Sequence, residues 1–405
     1  MLEKAAVPYV VLERSTMARM PLEGGGVIIV TPQIQPLLKQ LGLLEEVERV
    51  SKPIRRLEVF EADQPDPEPW MSGMFDSSFS KPRYGYDTRV ISRPELYSIL
   101  VDAVPASKVL LGKQISTVQQ VESQATCECT DGSSYTGIVV GADGAYSAVR
   151  LDMYRQLKEQ DLLPAQDRKP MQYRYQALVG MTRPLMTQES DMAFSQPRVV
   201  IYQGKSPFTF WSVPMTMNRM CWMLDRPIGE PRDCPDMEDL SYHPEVVQEM
   251  VQTYSNASLQ TIFDATPDGT MLALPREEAS FSTWSFGKIV LMGDACHKVI
   301  PYGGQSMVQA GYDAAALANI FYAQKLDPSR NIVAELAAYG ARRQADVKDA
   351  VKYSHYWSEL FFWQGWFGRL VRRIVLNHCP QFLLNVLGDR LSRDRPQVVF
   401  LPKIL

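Results

Sequence analysis

The sequence predicts an α/β protein in which strand–turn–helix segments on either side enclose a mainly β region, followed by a helical C-terminus. Three observations lead there. Short buried-strand runs, Pro8–Glu13, Ile138–Val140 and Lys288–Met292, are rich in β-branched residues and stop at an acid or a glycine turn. From about residue 171 to 275 the apolar pattern is mostly the two-residue repeat of strands. After residue 292 it becomes the helical repeat and stays so to about residue 390.

Taken in order, Leu2–Ala6 reads as the tail of a helix leading into the Pro8–Glu13 strand. Gly24–Gly26 gives a flexible loop before a strand, Val27–Val30. Pro32 opens a helix from Gln33 to Leu41, closed by Gly42. Leu57–Phe60 is a strand, and Gln64–Pro69 a proline- and acid-rich loop. Ser92-Arg93-Pro94-Glu95 carries an N-cap, a proline in the first turn and the acid of a capping box. Leu96, Ile99 and Leu100 supply that helix's apolar stripe. Residues 108–143 read as strands, with Asp131-Gly132 turning one hairpin. Asp152–Gln160 is a charged helix suited to linking two domains, and Met307–Phe321 is helical.

Composition narrows the class. A chain of 405 residues suits two interlocked domains. Net charge is −4 and the sequence pI about 5.7, so no positive field favours nucleic acid as a partner. The six cysteines fall in no C-x-x-C or finger spacing, and Cys127 and Cys129 share one face of a strand-like run. They read as core thiols. No histidines are paired at ligand spacing, so no metal site is expected. Neither a signal peptide nor a run of about 18 uncharged apolar residues is present, which implies a cytoplasmic protein.

Two glycine–acid turns carry the chemistry. Gly293-Asp294-Ala295-Cys296-His297-Lys298-Val299-Ile300-Pro301-Tyr302-Gly303-Gly304-Gln305 lies between a buried strand and a helix. Such a turn lets backbone amides approach an electron-rich ligand, and the helix dipole adds roughly half a positive charge. Asp294, at the strand end, can accept hydrogen bonds from ligand hydroxyls. The second turn, Gly141-Ala142-Asp143-Gly144-Ala145-Tyr146-Ser147-Ala148-Val149-Arg150, also follows a strand.

The first turn resembles the G-D-A-x-H-x-x-x-P-x-x-G-Q-G motif of the FAD-dependent aromatic hydroxylases, the single-component flavoprotein monooxygenases; Asp313-Ala314-Ala315 continues the match. The second resembles that family's G-A-D-G-x-x-S-x-V-R motif. Leu12-Glu13-Arg14 and Ser92-Arg93-Pro94-Glu95-Leu96 fall in the family's order, so the resemblance spans about residues 7–345.

The resemblance implies a Rossmann-like FAD-binding domain interleaved with a mainly β substrate domain. Residues 1–165 and 281–350 would form the FAD-binding domain, 166–280 the substrate domain and 351–405 a helical C-terminal segment. It implies that Gly293 and Asp294 meet the ribityl chain, and that Pro301, Gly304, Gln305, Ser306, Met307 and Val308 lie by the ring. Glu13 and Arg14 would meet the adenosine ribose, and Arg93 the flavin. Asp143, Gly144 and Arg150 would serve the pyrophosphate and the nicotinamide cofactor. NAD(P)H would reduce the flavin, and O2 would supply one oxygen atom to a small organic substrate. The flavin carries that chemistry, so no side-chain nucleophile is implied.

The sequence departs from the family in places. The family's opening strand, G-x-G-x-x-G and helix span about 30 residues before the ribose-binding acid, whereas 12 residues precede Glu13 and no G-x-G-x-x-G occurs. Two readings follow, a shortened gene product or a variant with weak or no FAD binding. Ser306 stands where the family has Gly, and Val308 where it has Asn, so contacts there must come from backbone. A non-catalytic remnant and a flavin-dependent halogenase are the alternative functions; the absence of W-x-W-x-I argues against the halogenase.

Some residues read as structural. His297 supports its loop, Cys296 packs, and Phe208–Trp211 is core. Residues 357–384 combine Phe361, Phe362, Trp363, Trp366 and Phe367 with Arg369, Arg372 and Arg373. That segment either docks on the body or on a second subunit as a homodimer, or lies on a membrane surface.

Overall fold

The computed structural model describes residues 1–17, 26–62, 70–72, 77–185, 196–202, 206–234, 244–254, 257–267, 269–392 and 395–404. Gly24, Gly25 and the Gln64–Pro69 loop lie outside them.

The buried runs pair in parallel. Val139–Gly141 lies beside Ile289–Leu291 in register Val139↔Ile289, with Ser285–Phe286 antiparallel on the far edge. Val11–Glu13 pairs in parallel with Val109–Leu111 as a separate two-stranded sheet. The Pro8–Glu13 run is as apolar as a buried strand, yet Val10 and Val11 are 42% and 41% exposed. Among the described residues the Val11–Glu13 strand has a hydrogen-bonded partner on one side only.

Helix ends follow local chemistry. Gly42 closes the Gln35–Leu41 helix at φ +79°, in the left-handed region that glycine adopts without strain. Ser92 Oγ accepts the Glu95 amide, as the expected capping box requires, while the Glu95 carboxylate accepts from the Ser92 hydroxyl. Asp131-Gly132 turns the hairpin between Gln124–Cys129 and Ser134–Gly137. Cys127 and Cys129 are both buried, and none of the six cysteines is in a disulfide.

An eight-stranded sheet forms the β region. Its order is His297–Lys298, Leu272–Ser280, Gln172–Met181, Met220–Asp233, Phe208–Pro214, Arg198–Tyr202, Leu57–Glu61 and Trp70–Ser72. The sheet therefore recruits strands from outside 166–280: Leu57–Glu61 joins by parallel pairing with Arg198–Tyr202. Two helices, Pro244–Tyr254 and Ala257–Asp264, interrupt what reads as continuous strand periodicity. They form because Val247, Met250 and Tyr254, three and four residues apart, bury one stripe against Phe208, Phe210, Trp222 and Leu224. The opposite face of the sheet, with Trp211 and Met223, packs on Tyr302, Trp357 and Phe361.

The remaining chain is helical: Ser306–Leu326, Ile332–Phe362, Gly365–Asn377 and Gln381–Ser392. Among the described residues no helix is long and apolar enough to cross a membrane.

Candidate functional site

Ile289, Val290 and Leu291 are fully buried and deliver the chain to Gly293 at φ +59°. A tight turn over Gly293–Ala295 then separates the loop's polar side chains. Asp294 faces outward, half-buried, and accepts from Lys298 Nζ at 2.5 Å. His297 is fully buried, its Nε2 lying 2.6 Å from Asp313 Oδ2. That oxygen also accepts the Gly293 amide at 2.9 Å, while Arg343 Nε donates to Oδ1 at 2.8 Å. Arg343 Nη2 reaches Gln309 Oε1 at 2.6 Å. Burial alone would push the Asp313 carboxyl up, but His297, the Arg343 charge and the Gly293 amide together hold it below its ordinary value.

The loop next turns at Pro301–Gly303, and Gly304 adopts φ +61°. A Cβ on Gly303 would lie 2.6 Å from Ser354 Oγ, so helix Ile332–Phe362 closes directly on the loop. A Cβ on Gly304 would sit 3.4 Å from Ile29. Gln305 is buried and caps the Ser306–Leu326 helix without a side-chain hydrogen bond to its first turn. Among the described residues no side chain caps the opening amides, through Val308, which lie at the positive end of a 21-residue helix. Met307 and Ser306 are half-buried. Val308 is fully buried and packs in the cluster containing Ile34 and Leu37, so only its backbone can face a ligand.

The second turn braces the first. Asp143 accepts from Ser147 Oγ at 2.5 Å and from the Val149 amide at 3.1 Å. Gly144 takes φ +84°. Arg150 is buried over the Phe281 ring; Nη1 donates to Ala295 O at 2.7 Å and Nη2 to Ala145 O at 2.6 Å. The guanidinium thereby ties the two turns together, leaving it an indirect route to a cofactor. Arg93 is exposed, and its amide donates to Gly26 O at 3.0 Å, at the start of the strand that carries Ile29. Glu13 is half-buried and accepts the Ser15 amide at 2.8 Å; Arg14 beside it is exposed. Burial and, second, the nearby Glu13 charge push the Tyr97 phenol up.

Sequence spacing did not reveal Arg343, which reaches Asp313 and Gln309 on helix Ser306–Leu326 from a separate helix, Ile332–Phe362, by packing alone. Cys296, His297 and Asp313 offer ligand atoms within 4.8 Å of one another. The Arg343 guanidinium on Asp313 makes this a closed ion-pair network and opposes a further cation.

The turn fits a flavin on its own geometry: an outward acid, a left-handed glycine at the contact point and a helix start whose amides no side chain caps. A parallel α/β scaffold presenting this turn defines a dinucleotide-type flavoprotein. The FAD binding domain family matches residues 2–354, and the chain belongs to that family. It is 28% identical over 421 residues to the FAD-dependent monooxygenase ausM of Aspergillus calidoustus, covering 99% of this chain and 85% of that protein. The FAD-dependent monooxygenase olcE of Penicillium canescens is 29% identical over 330 residues, 80% of this chain and 68% of that protein. Klebsiella pneumoniae HpxO complexed with FAD and uric acid shares the fold at TM-score 0.72 and 20% identity, covering 96% of this chain and 92% of that one. A salicylate hydroxylase substrate complex does so at TM-score 0.65 and 17% identity, covering 90% of each chain. By family and relatives the protein is an FAD-dependent monooxygenase, an oxidoreductase with a Rossmann-like FAD-binding fold.

Proposed function

We propose that the chain uses NAD(P)H and O2 to hydroxylate or epoxidise an apolar or aromatic organic substrate, with FAD seated on the Gly293–Val308 turn. The observation that carries this is the Ser306–Leu326 helix start, whose amides follow a left-handed glycine and lack a capping side chain. Bound FAD supplies electron transfer from the nicotinamide and activation of O2. Asp294 accepts hydrogen bonds from the ribityl hydroxyls in place of Lys298. The first-turn amides of Ser306, Met307 and Val308 donate to the electron-rich end of the ring. Arg93 approaches from the Gly26 side. Glu13 and Arg14 take the adenosine end, and Asp143, Gly144 and Arg150 shape the floor under the pyrophosphate.

An apolar substrate class is supported by what lies beyond Gly304. Val27 and Ile29 pack with Met181, Val213, Met215 and Cys221, joining the flavin turn to the large sheet through apolar side chains. An apolar substrate inserted there is shielded from water, which protects the activated oxygen from loss.

Asp294→Ala tests the placement. Loss of a charge-assisted hydrogen bond costs about 1.5–3 kcal/mol, so FAD affinity should fall about ten- to hundred-fold. FAD titration by fluorescence and NAD(P)H consumption read it. Unchanged FAD affinity and turnover in a folded variant would move the flavin away from this turn.

A further inference from the structure

Helix Gly365–Asn377 is amphipathic in the reverse sense to a soluble surface helix. Gly368, Arg372 and Leu376, at four-residue steps, form its buried side. Arg372 Nη2 is fully buried and pairs with Glu61 Oε1 at 2.8 Å, and Arg369 pairs with the other oxygen of the same carboxylate. Arg372 Nη1 also donates to the carbonyls of Leu360 and Trp363. The helix is therefore fixed on the Leu57–Glu61 strand by a polar anchor.

Its outer side is apolar. Trp366, Phe367, Leu370 and Ile374 are 78%, 48%, 44% and 50% exposed and occupy one helical arc. Trp363 packs edge-on against Phe367 and extends the arc at one end; Phe382, Leu383 and Val386 of the next helix are exposed as well. A contiguous apolar surface of this kind on a folded chain marks an interaction site. Its charge selects the partner: with Arg369 and Arg372 taken up by Glu61, residues 360–388 still present Arg373 and His378 and contain no Asp or Glu. Arg373 is exposed at the rim of the apolar arc.

We propose that this face rests on an anionic lipid surface. Trp366, Phe367, Leu370 and Ile374 enter the headgroup–acyl boundary, and Arg373 meets lipid phosphate or carboxylate groups. No described helix can span a bilayer, so the contact is peripheral. A second copy of the chain is a poorer occupant, because an isologous contact would set this patch against itself, and residues 360–388 hold no acid to receive Arg373. The surface lies behind the strand that carries Glu61, an edge region of the sheet assigned to the substrate. An apolar substrate dissolved in lipid would thus be close to the domain that handles it.

The test is sedimentation of the full chain with phosphatidylcholine vesicles, with and without phosphatidylserine, beside its mass in solution by light scattering. The intact chain should pellet with the anionic vesicles and do so less with neutral ones. Leu370→Glu/Ile374→Glu should weaken partitioning more than about tenfold, since each buried methylene contributes about a fourfold factor. Arg373→Gln should weaken it about fivefold on anionic vesicles only. Both variants should keep the thermal midpoint. Failure of the folded intact chain to bind either vesicle overturns the proposal, as does vesicle binding that the Leu370→Glu/Ile374→Glu change leaves intact. A dimer that the same change dissolves, without vesicle binding by the intact chain, assigns the face to a second copy.

Discussion

Arg343→Met isolates the network behind the flavin turn. Asp313 is fully buried and Arg343 is 9% exposed, so removing the guanidinium leaves a buried carboxylate with His297 and the Gly293 amide but no permanent cation among the bonds described for it. Breaking a buried pair from one side costs about 3–5 kcal/mol. Unfolding entropy is about 2.1 cal/mol/K per residue; for 405 residues in one transition this gives a fall in thermal midpoint of about 4–6 °C. The pH response has a definite sign. Asp313 is depressed, so its contribution is complete above the usual carboxylate range and is lost as pH falls through the lowered value. Without Arg343, burial is less opposed, the carboxyl value rises, and the acid limb of the stability profile moves to higher pH. Calorimetry from neutral into acid pH measures both effects. An Asp313→Asn/Arg343→Met double variant completes the cycle and should recover part of the loss, because no unpaired charge remains. A midpoint within about 1 °C of the parent, with an unshifted acid limb, would refute the assignment of this pair as the brace of the turn.

Three further outcomes are expected. His297→Gln should lose less than about tenfold in turnover, because His297 is buried against Asp313 rather than facing the ligand; a folded, flavin-loaded variant slowed a thousand-fold would make it a general base. Gly303→Ala should lower the thermal midpoint and FAD affinity together, since its Cβ would lie 2.6 Å from Ser354 Oγ and 2.9 Å from Tyr353; overpacking of this kind costs about 1–3 kcal/mol, read by melting and FAD titration. Burial pushes the thiols of Cys127 and Cys234 to about 12 and of Cys221 to about 11, so at pH 8 their thiolate fractions are about one part in a thousand or less. Labelling with a thiol reagent should leave these three unmodified in the native protein, speed up with rising pH and become complete in denaturant.

The parts legible in the sequence are those fixed by neighbours in the chain. Ser92 and Glu95 cap the same turn, Gly42 ends its helix because φ must be positive there, and Lys288–Met292 is apolar enough to be buried on both faces. Long-range pairings were not legible. The parallel bond between Leu57–Glu61 and Arg198–Tyr202 joins segments about 140 residues apart, and neither strand carries a mark naming its partner. The Val247–Met250–Tyr254 stripe was lost among flanking strand periodicities.

The site shows the same division at the scale of single side chains. Motif spacing put Asp294, His297 and Asp313 on one flavin turn but could not say which way each points. That direction is set by the turn at Gly293–Ala295 and the short strand His297–Lys298, which pairs with Ala279 and Ser280 at the edge of the large sheet. The pairing turns His297 inward, to Asp313 and beneath Trp284, and leaves Asp294 facing out. The residue nearest in type to a catalytic base is thus used to hold the turn, and Asp294, which the sequence reading offered to ligand hydroxyls, is the acid left on its outer side. The Gly293–Val308 turn and the eight-stranded sheet meet at this two-residue strand. A change that loosens Ala279–Lys298 pairing should therefore disturb flavin and substrate sides together, although neither residue touches either ligand in the proposed arrangement.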